Sequence, residues 1–344
     1  FKDKGYTCKM SSIVFPKCLI GKEPQVTFDG YVLPCCWMPY SNTTLWHDYT
    51  TRTNPFKRED FNLYNNDYND IVGSNEWMEM LKVTYEGDPP LKCSEACKSF
   101  IVQDGVPTSA NSRQPKFDPN KSDAQQFWSS HSTDEELFRK HIIHPKNLNK
   151  LNLEASSRCT LQCPYCSRVT EKEYLKKADL SKEVIYKLIN ARPWEKITDC
   201  PRYSDPIFYK HFDYMLDCMK DARVQEYRLH VAATGKGISW WEKRIEQFLK
   251  LKNIVITFGI DGLEETSKIH RIGQDWNEIY TALQLCQQAG LKTIWQFIPF
   301  SHNEHQIKEA QERASKIGCN FKLVVSNRFK DNDPMRPTNK EYYA

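Results

Sequence analysis

Three cysteines stand close together in the run Arg158-Cys159-Thr160-Leu161-Gln162-Cys163-Pro164-Tyr165-Cys166, at the spacing C-x3-C-x2-C. Thiolates this near one another can hold three irons of a [4Fe–4S] cube, because thiolate is the natural ligand of such clusters. The fourth iron then has no protein ligand in the loop and is open to a substrate or cofactor. Zinc fits less well. It wants four tetrahedral ligands, usually as paired C-x2-C units, and no His or further Cys lies near this loop. The chain's 13 cysteines are odd in number and ligand-like in spacing, which argues against a disulfide framework and for a reducing, cytoplasmic setting.

The elements around the loop are set up to position it. Leu151, Leu153 and Ala155 alternate with Asn152 and Glu154, the period-2 pattern of a half-buried strand, so the loop starts where a strand ends. Beyond Cys166 strands and helices alternate, the mark of a parallel α/β sheet or barrel. The predicted helices lie at Lys182–Asn190, around Phe212–Met219, and at Trp240–Leu251, Trp276–Ala289 and Gln306–Ile317. The predicted strands lie at Trp194–Thr198, Tyr227–Ala233, Asn253–Ile260, Lys292–Pro299 and Phe321–Val325. Asn253–Ile260 is the clearest, its continuous apolar character predicting burial on both faces. Cys200, Cys218, Cys286 and Cys319 stand singly and are expected in the core. The polar tail from Ser326 either covers an open end of the sheet or frays.

Leu153-Glu154-Ala155 followed by Cys159-x3-Cys163-Pro164-Tyr165-Cys166 resembles the cluster loop of the radical S-adenosylmethionine (SAM) enzymes. The resemblance implies a partial (β/α)6 TIM-type barrel, a SAM-binding [4Fe–4S] cluster on Cys159, Cys163 and Cys166, and reductive cleavage of SAM to a 5′-deoxyadenosyl radical that abstracts hydrogen from a substrate. It also implies SAM contacts from Tyr165, Ser204, Asp205, Thr234, Asp261, Arg271 and Ile298. Tyr203-Ser204-Asp205-Pro206 stands where relatives carry a Gly-Gly-Glu-Pro-like segment, keeping the acid and the proline. A helix N-cap is a second reading of Asp205. Ala233-Thr234-Gly235 is a partial match to a Thr-Asn-Gly segment, and Gly259 replaces a usual serine before Asp261-Gly262. Arg271 is expected to pair with the SAM carboxylate, since a guanidinium binds carboxylates bidentately. A surface ion pair for Arg271 and a core role for Ile298 are the plainer readings.

A second cysteine set precedes the barrel. Cys18-x11-Gly30-x4-Cys35, a predicted helix over Asn75–Tyr85 and Cys93-x3-Cys97 follow one another, with Val26–Phe28 and Tyr31–Leu33 as two short strands around Asp29-Gly30. This succession resembles the SPASM/twitch modules, which implies an auxiliary [4Fe–4S] cluster on Cys18, Cys35, Cys93 and Cys97. In the family such a module follows the radical domain, whereas here it comes first. A zinc site from the same four cysteines is the alternative. Neighbouring side chains diverge, so Cys35 and Cys36 are not both expected to reach one cluster; the glycine spacing selects Cys35, and Cys8 and Cys36 are expected to be bystanders or stand-in ligands.

The expected organisation is an α/β chain with a small N-terminal cysteine-rich α+β module at 1–105, a linker with a short helix at 106–145, the barrel at 146–330 and a tail at 331–344. Asp104 to His131, rich in Ser, Asn and Pro, is predicted irregular. A balance of 48 basic against 44 acidic residues, net +4, offers no block for nucleic acid. No apolar run reaches the roughly 18 residues of a membrane span, and none of the given residues is read as a signal peptide. The expected partners are a peptide or small-molecule substrate and an external electron donor such as flavodoxin or ferredoxin. A peptide or protein substrate is preferred by analogy with module-bearing members. The alternatives are a small metabolite or nucleoside, or a non-enzymatic zinc or iron–sulfur electron-transfer module. No residue is assigned as the donor of a hydrogen or proton.

Overall fold

The computed structural model describes residues 23–34, 58–78, 100–103, 106–109, 148–170, 177–200, 202–326, 328–330 and 332–343. The chain divides into two compact units, Phe1–Pro24 with Leu33–Leu148, and Gln25–Val32 with Asn149–Ala344.

In the first unit a short helix, Tyr68–Gly73, buries Tyr68, Ile71 and Val72. Residues 75–78 of the predicted helix Asn75–Tyr85 are helical, with Trp77 and Met78 buried, and the rest of that helix lies outside the described residues. Strands Phe100–Gln103 and Val106–Ser109 pair antiparallel. The second of these lies in the stretch predicted irregular, because β-branched Val106 and Thr108 suit a strand while Pro107 is tolerable in a two-stranded ribbon. Cys18, Cys35, Cys93 and Cys97, with Cys8 and Cys36, lie outside the described residues.

The second unit is built on a sheet. Its strands are β1 (Gln25–Val26), β2 (Val32–Leu33), β5 (Lys150–Leu153), β6 (Lys196–Asp199), β7 (Tyr227–Val231), β8 (Ile254–Gly259), β9 (Lys292–Phe297) and β10 (Asn320–Leu323), the antiparallel pair of the first unit being β3 and β4. The order is β10-β9-β8-β7-β6-β5-β1-β2, with every pair from β1 to β10 through β5 parallel. From β5 to β10 the spatial order is the chain order, six strands with intervening helices, which is the partial (β/α)6 arrangement. The hairpin around Asp29-Gly30 has a longer turn than predicted. Thr27 N donates to the Tyr31 carbonyl (2.9 Å), the Thr27 hydroxyl accepts from Tyr31 N (2.8 Å), and Gly30 takes φ 92°, a conformation that favours glycine. Its first strand adds to the sheet beside β5, where Val26 registers with Leu153.

Right-handed crossovers between successive parallel strands put all the connecting helices on one side of the sheet. These helices are α1 (Lys182–Asn190), α2 (Phe212–Asp221), α3 (Ile238–Phe248), α4 (Trp276–Gln288) and α5 (Ile307–Lys316). Ser181 caps α1 by accepting from Val184 N, and Asp275 caps α4 by accepting from Glu278 N. Trp241 of α3 meets Phe258 of β8 with ring centroids 5.5 Å apart, and Trp276 of α4 meets Trp295 of β9 at 5.9 Å. Phe258, in register with Val231 of β7, therefore faces the helices, as do Leu229, Ile256 and Ile197. Cys218, Cys286 and Cys319 are buried as predicted, but Cys200 is exposed, because it follows the last residue of β6 and leaves the sheet. Among the described residues no helix is long and apolar enough to cross a membrane.

Candidate active site

The cysteine loop leaves the C-terminal end of β5 and is tied down from several directions. At its stem the Ser156 hydroxyl and Arg158 Nε donate to the two oxygens of Asp179, both at 2.8 Å. Further on, the Thr160 hydroxyl donates to the Thr234 carbonyl beyond β7 (2.9 Å), and Gln162 N donates to the Ile272 carbonyl beyond β8 (2.9 Å). Arg168 holds the Leu161 carbonyl and Arg328 holds that of Tyr165. Gly273, at φ 94°, lets its backbone pass beside Thr160, where a Cβ would stand 3.5 Å from the Thr160 carbonyl oxygen.

These ties gather Cys159, Cys163 and Cys166 into one packed group with Leu161, Ala232, Ala233 and Phe208. All three are thiols outside any disulfide. Burial, then the neighbouring Asp205 carboxylate, pushes the Cys159 thiol up to about 12. Burial also raises Cys163, and its neighbour Cys166 adds to the rise. Burial holds the thiols of Cys159 and Cys163 protonated, and ionising them is favoured by positive charge of the kind ligated iron supplies. Among the described residues no three His, Cys, Asp or Glu side chains converge on a single metal ion. A cube takes each thiolate on a different iron, so three thiols side by side on one loop fit a cluster better than a lone ion.

Two buried carboxylates flank the loop, and both are engaged by backbone. Asp205 Oδ2 accepts from Ala232 N and Ala233 N, each at 2.7 Å, and Oδ1 accepts from Ile207 N at 3.4 Å. Asp205 is thus the N-cap of the short turn Pro206–Phe208, the second reading of the sequence, and it also clamps the end of β7. Burial, set against those backbone N–H groups, leaves its carboxyl raised to about 6. Asp261 is fully buried, takes Arg271 Nε on Oδ2 (2.7 Å) and Ile298 N on Oδ1 (2.8 Å), and so joins the ends of β8 and β9. Arg271 therefore sits in a buried ion pair rather than on the surface.

The remaining predicted contacts fall on the same rim. The Thr234 hydroxyl accepts from Asp275 N (2.9 Å) and Ile298 is half-buried at the end of β9. Ser204 is half-buried beside Asp205. Tyr165 stacks on His270 and Phe300 at 5.9 and 6.2 Å and donates its hydroxyl to Asp333. The tail does not fray. Asp333 holds Tyr165, the Glu304 carboxylate accepts from the backbone N–H groups of Thr338 and Asn339, and Ser326 bridges to Tyr343.

Three groups on this rim and sheet were given no role by the sequence reading. Gln274 Nε2 donates to the carbonyls of both Ala232 (2.6 Å) and Gly259 (3.0 Å), fastening the ends of β7 and β8. Fully buried Asn303 donates to the carbonyls of Asp261 and Ile298 and accepts from Phe300 N. The third group lies on the sheet face opposite the helices, where register aligns Asn152 with Thr198 and His230 with Thr257. Among the described residues Asn152 Oδ1 and Thr198 Oγ1 are buried there without a hydrogen-bond partner. Burial, then Lys322 and Arg228, pushes the His230 imidazole down to about 4, so it is neutral at physiological pH. Strand alternation alone put Asn152 opposite Leu151 and Leu153, which was the one available signal.

Residues 153–314, just under half of the chain, match the family model of the Radical SAM superfamily. No curated protein matches the chain. Among solved structures, Streptococcus suis SuiB bound to the precursor peptide SuiA is similar at 14% identity and a TM-score of 0.46, over 77% of this chain and 55% of SuiB. SuiB bound to S-adenosylmethionine is similar at 12% identity and a TM-score of 0.45, over 60% of this chain and 52% of that one. The methylornithine synthase PylB is similar at 10% identity and a TM-score of 0.40, over 56% of this chain and 58% of that one. The matched part thus spans little more than half the length of each.

Proposed function

We infer the reaction from one premise: the chain is an enzyme whose residues 153–314 form a radical SAM superfamily domain. In this reading Cys159, Cys163 and Cys166 hold a [4Fe–4S] cluster with one iron open to SAM. That cluster, when reduced by an external donor such as flavodoxin or ferredoxin, supplies the electron that splits SAM into methionine and a hydrogen-abstracting 5′-deoxyadenosyl radical. The observation that carries the reading is the packing of the three thiols into one group at the end of β5, inside the matched segment.

The chain's own residues then do the positioning. Ser204, Asp205 and Thr234 line the side of the loop next to β6 and β7, where a carboxylate and carbonyls suit an ammonium group. Tyr165 offers an aromatic face and Ile298 an apolar edge for the adenine, with Asp261 fixing both strand ends between them. Arg271, fastened by Asp261, keeps guanidinium N–H groups for the methionine carboxylate. The substrate lies on the helix-free face, where the oxygens of Asn152 and Thr198 are without a partner among the described residues and can take hydrogen bonds from it.

The substrate is a peptide or protein segment, on the resemblance of the first hundred residues to modules borne by peptide-modifying members; a small metabolite or nucleoside is the second reading. On the same resemblance, Cys18, Cys35, Cys93 and Cys97 are the proposed ligands of an auxiliary cluster that relays electrons. The test is to incubate the anaerobically iron-loaded chain with dithionite and SAM and to quantify 5′-deoxyadenosine and methionine. Both form with the unaltered chain and fall to background with Cys159→Ala. Intact SAM in the presence of a filled, reducible cluster contradicts the reading.

A further inference from the structure

We propose that Asp333 is a positioning residue for SAM: it takes the Tyr165 hydroxyl and so fixes one wall of the adenine slot relative to the other. This rests on the SAM reading above and deepens it, because that reading gives Tyr165 a ligand but assigns no residue to hold Tyr165.

The geometry begins with the turn around Asp333. Asn332 takes φ 61°, a left-handed conformation that asparagine tolerates. Asp333 N donates to the Lys330 carbonyl (3.2 Å), and Arg336 N donates to the Asp333 carbonyl (3.0 Å). Asp333 Oδ1 accepts from Met335 N at 2.9 Å, so the carboxylate is oriented by its own turn. The same oxygen accepts from the Tyr165 hydroxyl at 2.5 Å, a contact that spans 168 residues of chain. Two residues leading into the turn grip Tyr165 as well. Arg328 Nη1 donates to its carbonyl (2.9 Å), and the Phe329 ring meets its ring at 5.7 Å and 79°. A tyrosine held at carbonyl, ring and hydroxyl keeps one orientation.

The turn is tied on its other side to the loop after β9. Ser301 N donates to the Met335 carbonyl (3.0 Å), and the Ser301 hydroxyl donates to the Pro334 carbonyl (2.7 Å). Phe300 stacks on Tyr165 at 6.2 Å and meets Phe329 edge-on at 5.6 Å. Ser301 lies three residues beyond Ile298. One turn therefore bridges the cysteine loop, which carries Tyr165, and the end of β9, which carries Ile298. Those are the two residues set around the adenine in the reading above. A slot whose walls are already placed loses less freedom when it binds, and that is a gain in affinity.

The experiment measures the affinity of the anaerobically reconstituted full chain for SAM and, separately, for methionine. Equilibrium dialysis is done with the cluster oxidised, so that nothing is cleaved, and iron content is checked in every variant. Asp333→Ala and Tyr165→Phe each weaken SAM about fivefold, the scale of one hydrogen bond, and leave methionine, which has no adenine, unchanged. The double variant loses no more than either single one, since both remove the same bond. Asp333→Asn keeps an acceptor oxygen in place and recovers most of the affinity. If Asp333→Ala takes up no cluster, Tyr165→Phe, which keeps the ring packing, decides alone. SAM affinity unchanged in the single variants overturns the proposal and leaves the SAM reading intact. Losses that add, or that fall equally on methionine, also overturn it, because the turn would then only prop the loop. An unaltered chain that holds a cluster on Cys159, Cys163 and Cys166 yet binds no SAM overturns both.

Discussion

The helix-covered face of the sheet and the remainder of the second unit are held together by different physics. Under the helices the contacts are apolar rings in register: Trp241 on Phe258, Trp276 and Tyr280 on Trp295, and Phe321 against Trp295 and Phe297. The exception there is Asp199, which takes the Tyr227 hydroxyl at 3.2 Å. On the opposite face and along the C-terminal strand ends, carboxylates, amides and hydroxyls do the holding. Asp205, Asp261, Thr234, Gln274 and Asn303 each bond to backbone from a neighbouring strand end or loop. Burial is non-directional and tolerates small errors, whereas the hydrogen bonds of the rim depend on distance and angle and so set where each loop sits.

Substitution on each side sharpens this contrast. Trp295→Ala removes a fully buried ring that also donates from Nε1 to the Ile260 carbonyl, and is expected to cost about 3–5 kcal/mol in a denaturant titration. A loss below about 1 kcal/mol would mean the helix face is not the main store of stability.

His230, on the polar face, is expected to show itself through pH. Its folded value of about 4 lies below the ordinary 6.5, so the folded state binds fewer protons than the unfolded one. Its contribution is present above pH 6.5 and lost as pH falls toward 4, amounting to less than about 3 kcal/mol at 1.36 kcal/mol per tenfold in proton affinity. His230→Gln should flatten that part of the stability curve, while Trp295→Ala lowers the whole curve without changing its slope there.

Asn303→Ala is expected to be smaller still, about 2 kcal/mol, because it strands Phe300 N while the two carbonyls lose a shared donor. Hydrogen exchange should rise first in the loops after β8 and β9, not under the helices. Uniform exchange across the sheet would argue that the rim is not a separate layer.

The sequence made the helix face readable because burial leaves a period. Continuous apolar character located Ile254–Gly259, and the apolar stripes Val184, Ile185, Leu188 and Ile189 of α1 and Phe212, Met215, Leu216 and Met219 of α2 are the buried faces of those helices. The cysteine loop was readable because ligand spacing is local. The clamps were not. Gln274 and Asn303 bond across 42 residues of chain to Ala232 and Asp261, and no periodicity marks a pairing of that kind. Arg271 was legible as a cation near the site, but its pairing with Asp261 appears only once the strand ends are side by side. Cys200 went wrong for a related reason: a lone cysteine after a strand looks like its buried counterparts until the chain is seen to leave the sheet.

The central claim is that the three thiols leave one iron corner open for SAM, and electron paramagnetic resonance of the reduced, anaerobically reconstituted chain tests it most directly. The account predicts a signal whose shape changes when SAM is added, and whose SAM-sensitive part vanishes in the Cys159→Ala/Cys163→Ala/Cys166→Ala variant. A spectrum indifferent to SAM, or one that survives loss of all three thiols unaltered, would contradict it.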